Sequence, residues 1–291
     1  MKRFGDTRIF IVLAVLPAII LFTVFYLLPM GALIVTSLFR WDSIRIGEFI
    51  GLENYVRMFN DKIFYIALRN NLSWSLTCAF VHIPLALVVA LLLSRKPRGW
   101  KFLRTVYFLP HVISVTAYAV IWTSVFNPSF GLVNQILTSV GLDHLCKNWL
   151  YDLDWAWPCI IFTWVFHVGL FATILLAEIL SHPQEMYEAA QVDGASRFQQ
   201  EVYVTIPLLR DMVGTCIVLD IAGGLRYFEG LYIMTNGAPD YRTETLALYL
   251  YQQMQLIHNS YANTLGVALL GFGALLILVV LKVLKVGRST Y

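Results

Sequence analysis

Charged residues are scarce in this sequence. Only 13% of its 291 residues are Asp, Glu, Lys or Arg, whereas 58% are hydrophobic, and a soluble domain carries roughly 25% charged residues. So few charges cannot cover a surface that faces water, and so hydrophobic a chain does not stay disordered. The composition excludes a soluble enzyme and a disordered chain, and it indicates a membrane protein.

Cysteines are also few. None of the four stands in a C-x-x-C pair or beside two histidines, so neither a zinc site nor a redox motif is predicted. The same composition that indicates a membrane protein excludes a disulfide scaffold. We interpret the four cysteines as small apolar packing residues. They are Cys78, Cys146, Cys159 and Cys216.

Motifs for catalysis and for nucleic-acid binding are absent from the sequence. The net charge of +3 comes without a basic patch interleaved with aromatic residues, so no nucleic-acid partner is expected. There is no nucleophile and base constellation, no H-E-x-x-H motif and no P-loop. We therefore expect no catalytic residue, no bound cofactor and no metal in this chain, and no ATP hydrolysis by the chain itself.

Long charge-free runs are present instead, and each exceeds the roughly 18 to 20 apolar residues that a membrane helix needs. The runs are Ile9–Phe39, Asn70–Ser94, Thr105–Leu142, Trp155–Ala177 and Thr245–Leu281. They lack the strict alternation of a barrel strand, so the predicted fold class is all-α and polytopic. Six transmembrane helices are predicted near 9–35, 71–94, 105–126, 157–180, 212–235 and 263–284.

Turns and basic residues set the predicted topology. The cluster Asn127–Gly131 ends the third span and opens an external loop with a short helix. The first apolar run is too long for a signal peptide and is interpreted as an uncleaved span. The densest basic group, Arg95 to Arg104, is assigned to the cytoplasm by the positive-inside rule. We expect a multi-pass protein of the cell membrane with both termini cytoplasmic.

The fourth and fifth spans are separated by a polar segment, residues 181–211. Ser181 lies three residues before Gln184, with Pro183 between them, a pattern that predicts a capped helix start. Gly194 is placed to end this first helix. A second helix follows and ends near Pro207, so the segment is predicted to be a compact pair of helices.

Two interpretations of this polar segment stay open. Charged loops are often solvated connectors and nothing more. However, a connector of this topology needs only about 2–8 residues. The small side chains of Ala189 and Ala190 also suit close approach of another surface, which favours docking to a cytoplasmic partner.

The run Glu188–Ala195 (EAAQVDGA), followed by Ile206–Leu209 (IPLL), resembles the EAA loop of binding-protein-dependent ABC importer permeases. Further segments in the same order place the resemblance in the carbohydrate branch, the maltose-importer-like permeases. They are GLENY at 51–55, RTVYFLP at 104–110, TNGAP at 235–239 and TETLALY at 243–249. Glu201 and Val202 depart from the family pattern, which more often has aromatic or aliphatic residues there.

The resemblance implies the type I ABC importer permease fold. It implies an N-terminal helix and first external loop at 1–68, a five-helix core at 69–285 that contains the coupling loop 181–211, and a tail at 286–291. The implied partners are a second permease, two cytoplasmic ATP-binding subunits that use ATP and Mg, an extracytoplasmic solute-binding protein, and a sugar. The residues implied to contact the ATPase are Glu188, Ala189, Ala190, Asp193 and Gly194.

Polar residues inside the predicted spans are costly in hydrocarbon and usually face a cavity or a partner. The substrate-pathway candidates are Asp220, Arg226, Glu229, Tyr227, Trp164 and His167. For Arg226 and Glu229 an internal salt bridge on one helix face is the alternative. For His167 the alternative is a hydrogen bond between helices, and Asp220 is expected to have a partner on another helix or subunit.

Taken together, these patterns predict a permease subunit of an ATP-driven sugar or oligosaccharide importer that works by alternating access. Three alternatives stay open. A permease for another polar solute such as glycerol phosphate would use Arg226 to bind the anion. An ion-coupled secondary transporter would use Asp220, Arg226 and Glu229 as coupling charges, and would be expected to carry internal repeats. A membrane enzyme would need clustered catalytic residues on one face of the membrane.

Overall fold

The computed structural model of the chain describes residues 3–41 and 46–285. Helices dominate the described part, which confirms the all-α polytopic fold. From the N-terminus the helices are α1 (Arg3–Phe22), α2 (Leu28–Ser37), α3 (Glu53–Phe59), α4 (Lys62–Thr77), α5 (Ile83–Ser94), α6 (Trp100–Val112), α7 (Val115–Val125), α8 (Leu132–Ser139) and α9 (Ala156–Val165). They continue as α10 (Gly169–Ser181), α11 (Gln184–Val192), α12 (Arg197–Gln200), α13 (Ile206–Leu208), α14 (Arg210–Arg226), α15 (Glu229–Met234), α16 (Leu246–Gln255) and α17 (Asn259–Leu284).

Within the described residues, four helical segments are long and apolar enough to cross a membrane without a sharp bend. They are Phe10–Ser37, Lys62–Ser94, Ala156–Ser181 and Asn259–Leu284. Two further candidates are bent pairs, α6 with α7 at 101° and the segment Arg197–Leu208 with α14 at 64°. The described part therefore has four spans, or six if each bent pair crosses once.

The third and fifth predicted spans are not continuous helices, and in this respect the prediction was wrong. After α6, Ile113 and Ser114 take extended backbone conformations. The Ser114 hydroxyl then accepts the Ala117 amide at 3.3 Å and starts α7 as an N-cap. In the fifth span, Tyr227 is extended at ψ 108° and ends α14 before α15 begins.

Prolines account for three π-helical segments in the described helices. The segments are Thr23–Leu27, Cys78–His82 and Glu201–Thr205, and Pro29, Pro84 and Pro207 each stand two residues after one of them. Proline has no N–H, and its ring clashes with the carbonyl four residues earlier. The helix widens there, so the amide just before each proline bonds five residues back, as Ile83 does to Cys78.

The chain forms two compact units by internal contacts: residues up to 61 with 250–268, and residues 62–249 with those from 269 onward. In the first unit, strands β1 (Phe39–Trp41) and β2 (Ile46–Phe49) pair antiparallel. The start of α17 is tied to this region because Asn263 Nδ2 donates to Thr36 Oγ1 at 2.7 Å. The Tyr261 hydroxyl also donates to Asp61 at 2.6 Å.

The second unit holds the helices that frame the candidate site. Its core lies where α5 packs along α10, and both helices bury small residues such as Ala86, Ala90 and Ala172. Small residues let membrane helices approach closely. At Gly169, α10 lies so close to α6 that only glycine fits, because a Cβ there would overlap the Tyr107 carbonyl on α6.

The second unit also contains the predicted external loop, and α8 is the short helix expected in it. The loop ends at a turn in which the Asp154 and Trp155 amides donate to Asp152 Oδ1 at 3.0 and 3.1 Å. These donors, with Lys147 nearby, hold the pKa of the Asp152 carboxyl below its usual value.

Helix α14 provides a matched pair of glycines for testing this packing. A Cβ at Gly224 would overlap the Trp74 indole, whereas a Cβ at Gly223 would meet no atom within 4 Å. We predict that Gly224→Ala lowers the stability of the purified protein by about 1–3 kcal/mol through overpacking. Gly223→Ala should leave it unchanged or raise it by about 0.5–1 kcal/mol. Thermal unfolding in detergent measures both, and equal midpoints for the two variants would contradict the packing described here.

Candidate functional site

A buried polar contact joins α14 to the second span. His82 Nδ1 lies 2.7 Å from Asp220 Oδ2, and both side chains are fully buried. His82 is the last residue of the π-helical segment before Pro84, so the widened turn sets its position. Asp220 therefore has a partner on another helix, as expected for a carboxylate inside a span. The pairing offsets part of the free-energy cost of placing a carboxylate in hydrocarbon.

Three aromatic rings pack beside this polar pair. The Tyr227 ring lies 5.5 Å from Trp74 and 5.0 Å from Trp164, and the two indoles are 5.0 Å apart. The extended conformation of Tyr227 at the end of α14 directs its ring to this group. The break in the fifth span therefore places the Tyr227 ring against the two indoles.

His167 lies in the turn between α9 and α10 and contacts the bent third span. Its Nε2 is 3.2 Å from the Pro110 carbonyl oxygen of α6. That carbonyl belongs to the last turn of α6, where carbonyls have no partner within the helix. This contact is the hydrogen bond between helices that was predicted from the sequence as an alternative for His167. The ring also lies 4.1 Å from Tyr118 and 6.2 Å from His111.

These groups surround a cavity of about 380 Å³. Four of the predicted pathway residues line it, namely Trp164, His167, Asp220 and Tyr227. The rest of the wall is formed by His82, His111, Ile113, Val115, Leu170, Phe171, Ile174, Leu219 and Gly223. Within the described residues, no Lys or Arg lines the cavity. Its wall is therefore largely apolar and aromatic, with imidazoles, one carboxylate and one phenol as its polar groups.

The other two predicted pathway residues, Arg226 and Glu229, lie outside this cavity, and their role in the pathway stays a prediction. Both are exposed, and the Arg226 Nε donates to the Ala222 carbonyl at 3.3 Å. The alternative of a salt bridge on one helix face was wrong. Tyr227 ends α14 between them, so they belong to different helices, and no ion pair joins them among the described residues.

Several residues of the site were not predicted from the sequence. His111 lines the cavity, while Trp74 and Tyr118 lie behind the wall, against Tyr227 and His167. All three stand in apolar runs, where aromatic residues are ordinary span residues. His82 was interpreted as a polar contact at a kink. Its pairing with Asp220 could have been suggested from the sequence, because a histidine and an aspartate in two different predicted spans each need a polar partner.

The polar segment between α10 and α14 folds as two short helical pieces outside the apolar runs. The first piece is α11, and it ends as predicted at Gly194, which has a φ of +82°. The Ala195 amide donates to Ala190 at 2.9 Å and the Gly194 amide donates to Gln191 at 3.0 Å. This is a Schellman motif, which needs a left-handed residue after the helix.

The start of α11 differs from the prediction. Ser181 does not cap it, because Ser181 is still the last residue of α10 and its hydroxyl donates to the Glu178 carbonyl at 2.8 Å. The capping box instead opens the second piece, where the Ser196 and Gln199 side chains bond each other's backbone amides. The second piece runs from Arg197 to Leu208 through α12, a π-helical turn and α13.

The residues expected to contact an ATPase lie on and just after α11. Glu188, Ala189 and Asp193 are exposed, and Ala190 is half-buried. Glu188 Oε1 accepts a hydrogen bond of 2.9 Å from Gln184. Large apolar side chains are exposed nearby, with Val192 88% and Phe198 70% accessible. Exposed apolar side chains outside the spans are typical of a surface that binds a protein.

The fold agrees with what the comparisons show. Residues 82–286 match the family described as "Binding-protein-dependent transport system inner membrane component". The chain therefore belongs to this family of membrane-embedded transport components, and it is a multi-pass permease of the binding-protein-dependent ABC transporter class.

Individual relatives and a solved structure share nearly the whole chain. "Probable ABC transporter permease protein YurN" of Bacillus subtilis is 35% identical over 98% of this chain and 99% of the relative. "Diacetylchitobiose uptake system permease protein NgcF" of Streptomyces coelicolor is 34% identical over 89% of this chain and 78% of the relative. A solved bacterial ABC transporter "involved in the import of the acidic polysaccharide alginate" matches with a TM-score of 0.83 at 25% identity, over 99% of this chain and 100% of that one.

The buried pair allows a double-mutant test. Asp220→Ala leaves His82 buried without its partner, so we expect a loss of about 3–5 kcal/mol in stability, seen as a lower thermal midpoint. The double variant His82→Ala/Asp220→Ala should lose less than the sum of the two single variants. Glu229→Ala, which removes an exposed carboxylate, should change stability by no more than about 0.5 kcal/mol. Strictly additive losses would show that the contact does not contribute.

Proposed function

We propose that this chain is the permease subunit of an ATP-driven importer for an uncharged saccharide. It forms half of a translocation pathway together with a second permease. The single observation that carries the proposal is the membrane-embedded cavity of aromatic rings and imidazoles, in a chain whose relatives include a permease protein for diacetylchitobiose uptake.

The chemistry of the cavity suits a sugar ring. The indole of Trp164 and the phenol ring of Tyr227 provide apolar surface for a sugar face, while His167 and Asp220 provide hydrogen-bonding groups for hydroxyls. A phosphate ester is typically held by Lys or Arg, and neither is among the described residues that line the cavity. Arg226, the residue that an anionic solute would use, lies outside it. The proposal therefore favours an uncharged saccharide over glycerol phosphate.

Two contacts support a cytoplasmic position for the polar segment. Arg95, the first residue of the densest basic cluster, bonds Glu201 in the segment, and the positive-inside rule assigns that cluster to the cytoplasm. Arg210 Nε donates to the Leu284 carbonyl at the end of the last span, at 3.0 Å. The end of α17 therefore lies on the same side, and we assign it to the cytoplasm. A cytoplasmic N-terminus stays a prediction.

The polar segment is the proposed contact with a pair of cytoplasmic ATP-binding subunits. The carboxylates of Glu188 and Asp193 face solvent, where a basic residue of the ATPase meets them, while Ala189, Ala190 and the bend at Gly194 allow close packing. A solute-binding protein delivers the saccharide from outside. ATP binding shifts the permease between two states only if the ATPase contacts this segment differently in each. No catalytic role, cofactor or metal is proposed for this chain.

The coupling contact is tested by charge reversal. Glu188→Lys should reduce ATP-driven uptake into proteoliposomes to background and abolish the stimulation of ATP hydrolysis by the binding protein, because like charges then meet at the contact. Membrane insertion should be unchanged. The matched control is Glu185→Lys, which reverses the same charge one turn earlier on α11 and should retain most of the uptake. Normal uptake by Glu188→Lys would refute the proposed contact.

A further inference from the structure

An ion pair connects the polar segment to the second span. Arg95, which directly follows α5, donates from Nε to Glu201 Oε1 and from Nη2 to Glu201 Oε2, both at 2.7 Å. The two parallel bonds form the bidentate fork that an arginine makes with a carboxylate, the strongest and most directional form of this pair. The Glu201 side chain is 18% exposed and the Arg95 side chain 43%.

The chain itself connects the segment to its neighbouring spans by bends. Between α10 and α11 the backbone is extended at His182 and Pro183. Between the segment and α14 it bends by 64° at Leu209. Bends of this kind act as hinges in conformational changes, because a few residues absorb the rotation. A movement of the segment that passed only through these bends would be partly lost in them.

The ion pair bypasses the bend at Leu209. It joins the segment directly to α5, and the same span is joined to α14 by His82 and Asp220. Thirteen residues separate the two contacts on the second span, and a helix of that length extends about 20 Å. The second span is thus joined at two levels, to the fifth span beside the cavity and to the polar segment at its own end.

We infer that Arg95 and Glu201 are positioning residues that make the second span move with the coupling segment. This inference rests on the proposed function, and it names the path by which movement at the ATPase contact reaches the wall of the cavity. Partly exposed ion pairs contribute little to stability. The loss of the pair should therefore leave the assembly folded while weakening the link between ATP hydrolysis and transport.

The test measures saccharide taken up per ATP hydrolysed in proteoliposomes containing the complete transporter. Arg95→Glu and Glu201→Arg should each lower this ratio by about tenfold, a size typical of substitutions that alter coupling between sites. ATP hydrolysis itself should continue. The double variant Arg95→Glu/Glu201→Arg restores opposite charges and should recover most of the ratio. A merely structural role would not predict a loss of the ratio with retained hydrolysis.

Two further variants keep the test decisive. Arg98→Glu reverses a charge in the same loop at an exposed arginine that makes no ion pair among the described residues, and it should keep the ratio of the unaltered protein. If a charge reversal prevents assembly, the neutral variants Arg95→Gln and Glu201→Gln replace it. They should lower the ratio of saccharide taken up to ATP hydrolysed by the same factor. An unchanged ratio in the single variants, or a double variant no better than either single one, would overturn the inference. Failure of the proposed function is distinguishable, because it appears as no ATP-driven saccharide uptake by the unaltered transporter.

Discussion

The contact between His82 and Asp220 is the constraint on which the rest of the proposed transport site depends. A carboxylate inside a membrane span needs a partner, and this one is met by an imidazole on another span. The contact fixes how the second and fifth spans face each other. Trp164 and Tyr227 then pack around it and complete the cavity wall.

The broad fold follows from the sequence because hydrocarbon requires long apolar runs with internally bonded backbone. Those runs predicted the spans, and Gly194 predicted the end of α11, since only a left-handed residue completes that turn. The breaks at Ser114 and Tyr227 were missed. Ser114 lies in a charge-free run without a glycine or proline beside it to mark a break, and the Tyr227 ring contacts aromatic residues that are distant in the sequence. The partner of Asp220 is 138 positions away, and no local pattern specifies so distant a contact.

A proline shapes the helix both beside the cavity and in the polar segment. Pro84 and Pro207 each remove an amide donor, and the widened turns before them carry His82 and Glu201. His82 pairs with Asp220 of the fifth span, and Glu201 pairs with Arg95 at the end of the second span. Irregular helix geometry thus occurs where side chains must reach another span. This arrangement would give the proposed ATPase contact at α11 a physical route to the cavity among the membrane helices.

The central claim is that this cavity opens alternately to the two sides of the membrane as the ATPase cycles. The most direct measurement is labelling of Gly223→Cys, in a background without the four native cysteines, by a membrane-impermeant maleimide. Gly223 lines the cavity and has room for a side chain. The claim predicts labelling from outside when the ATPase is trapped with ATP, labelling from inside without nucleotide, and protection by the transported saccharide. Labelling from the same side in both states would contradict it.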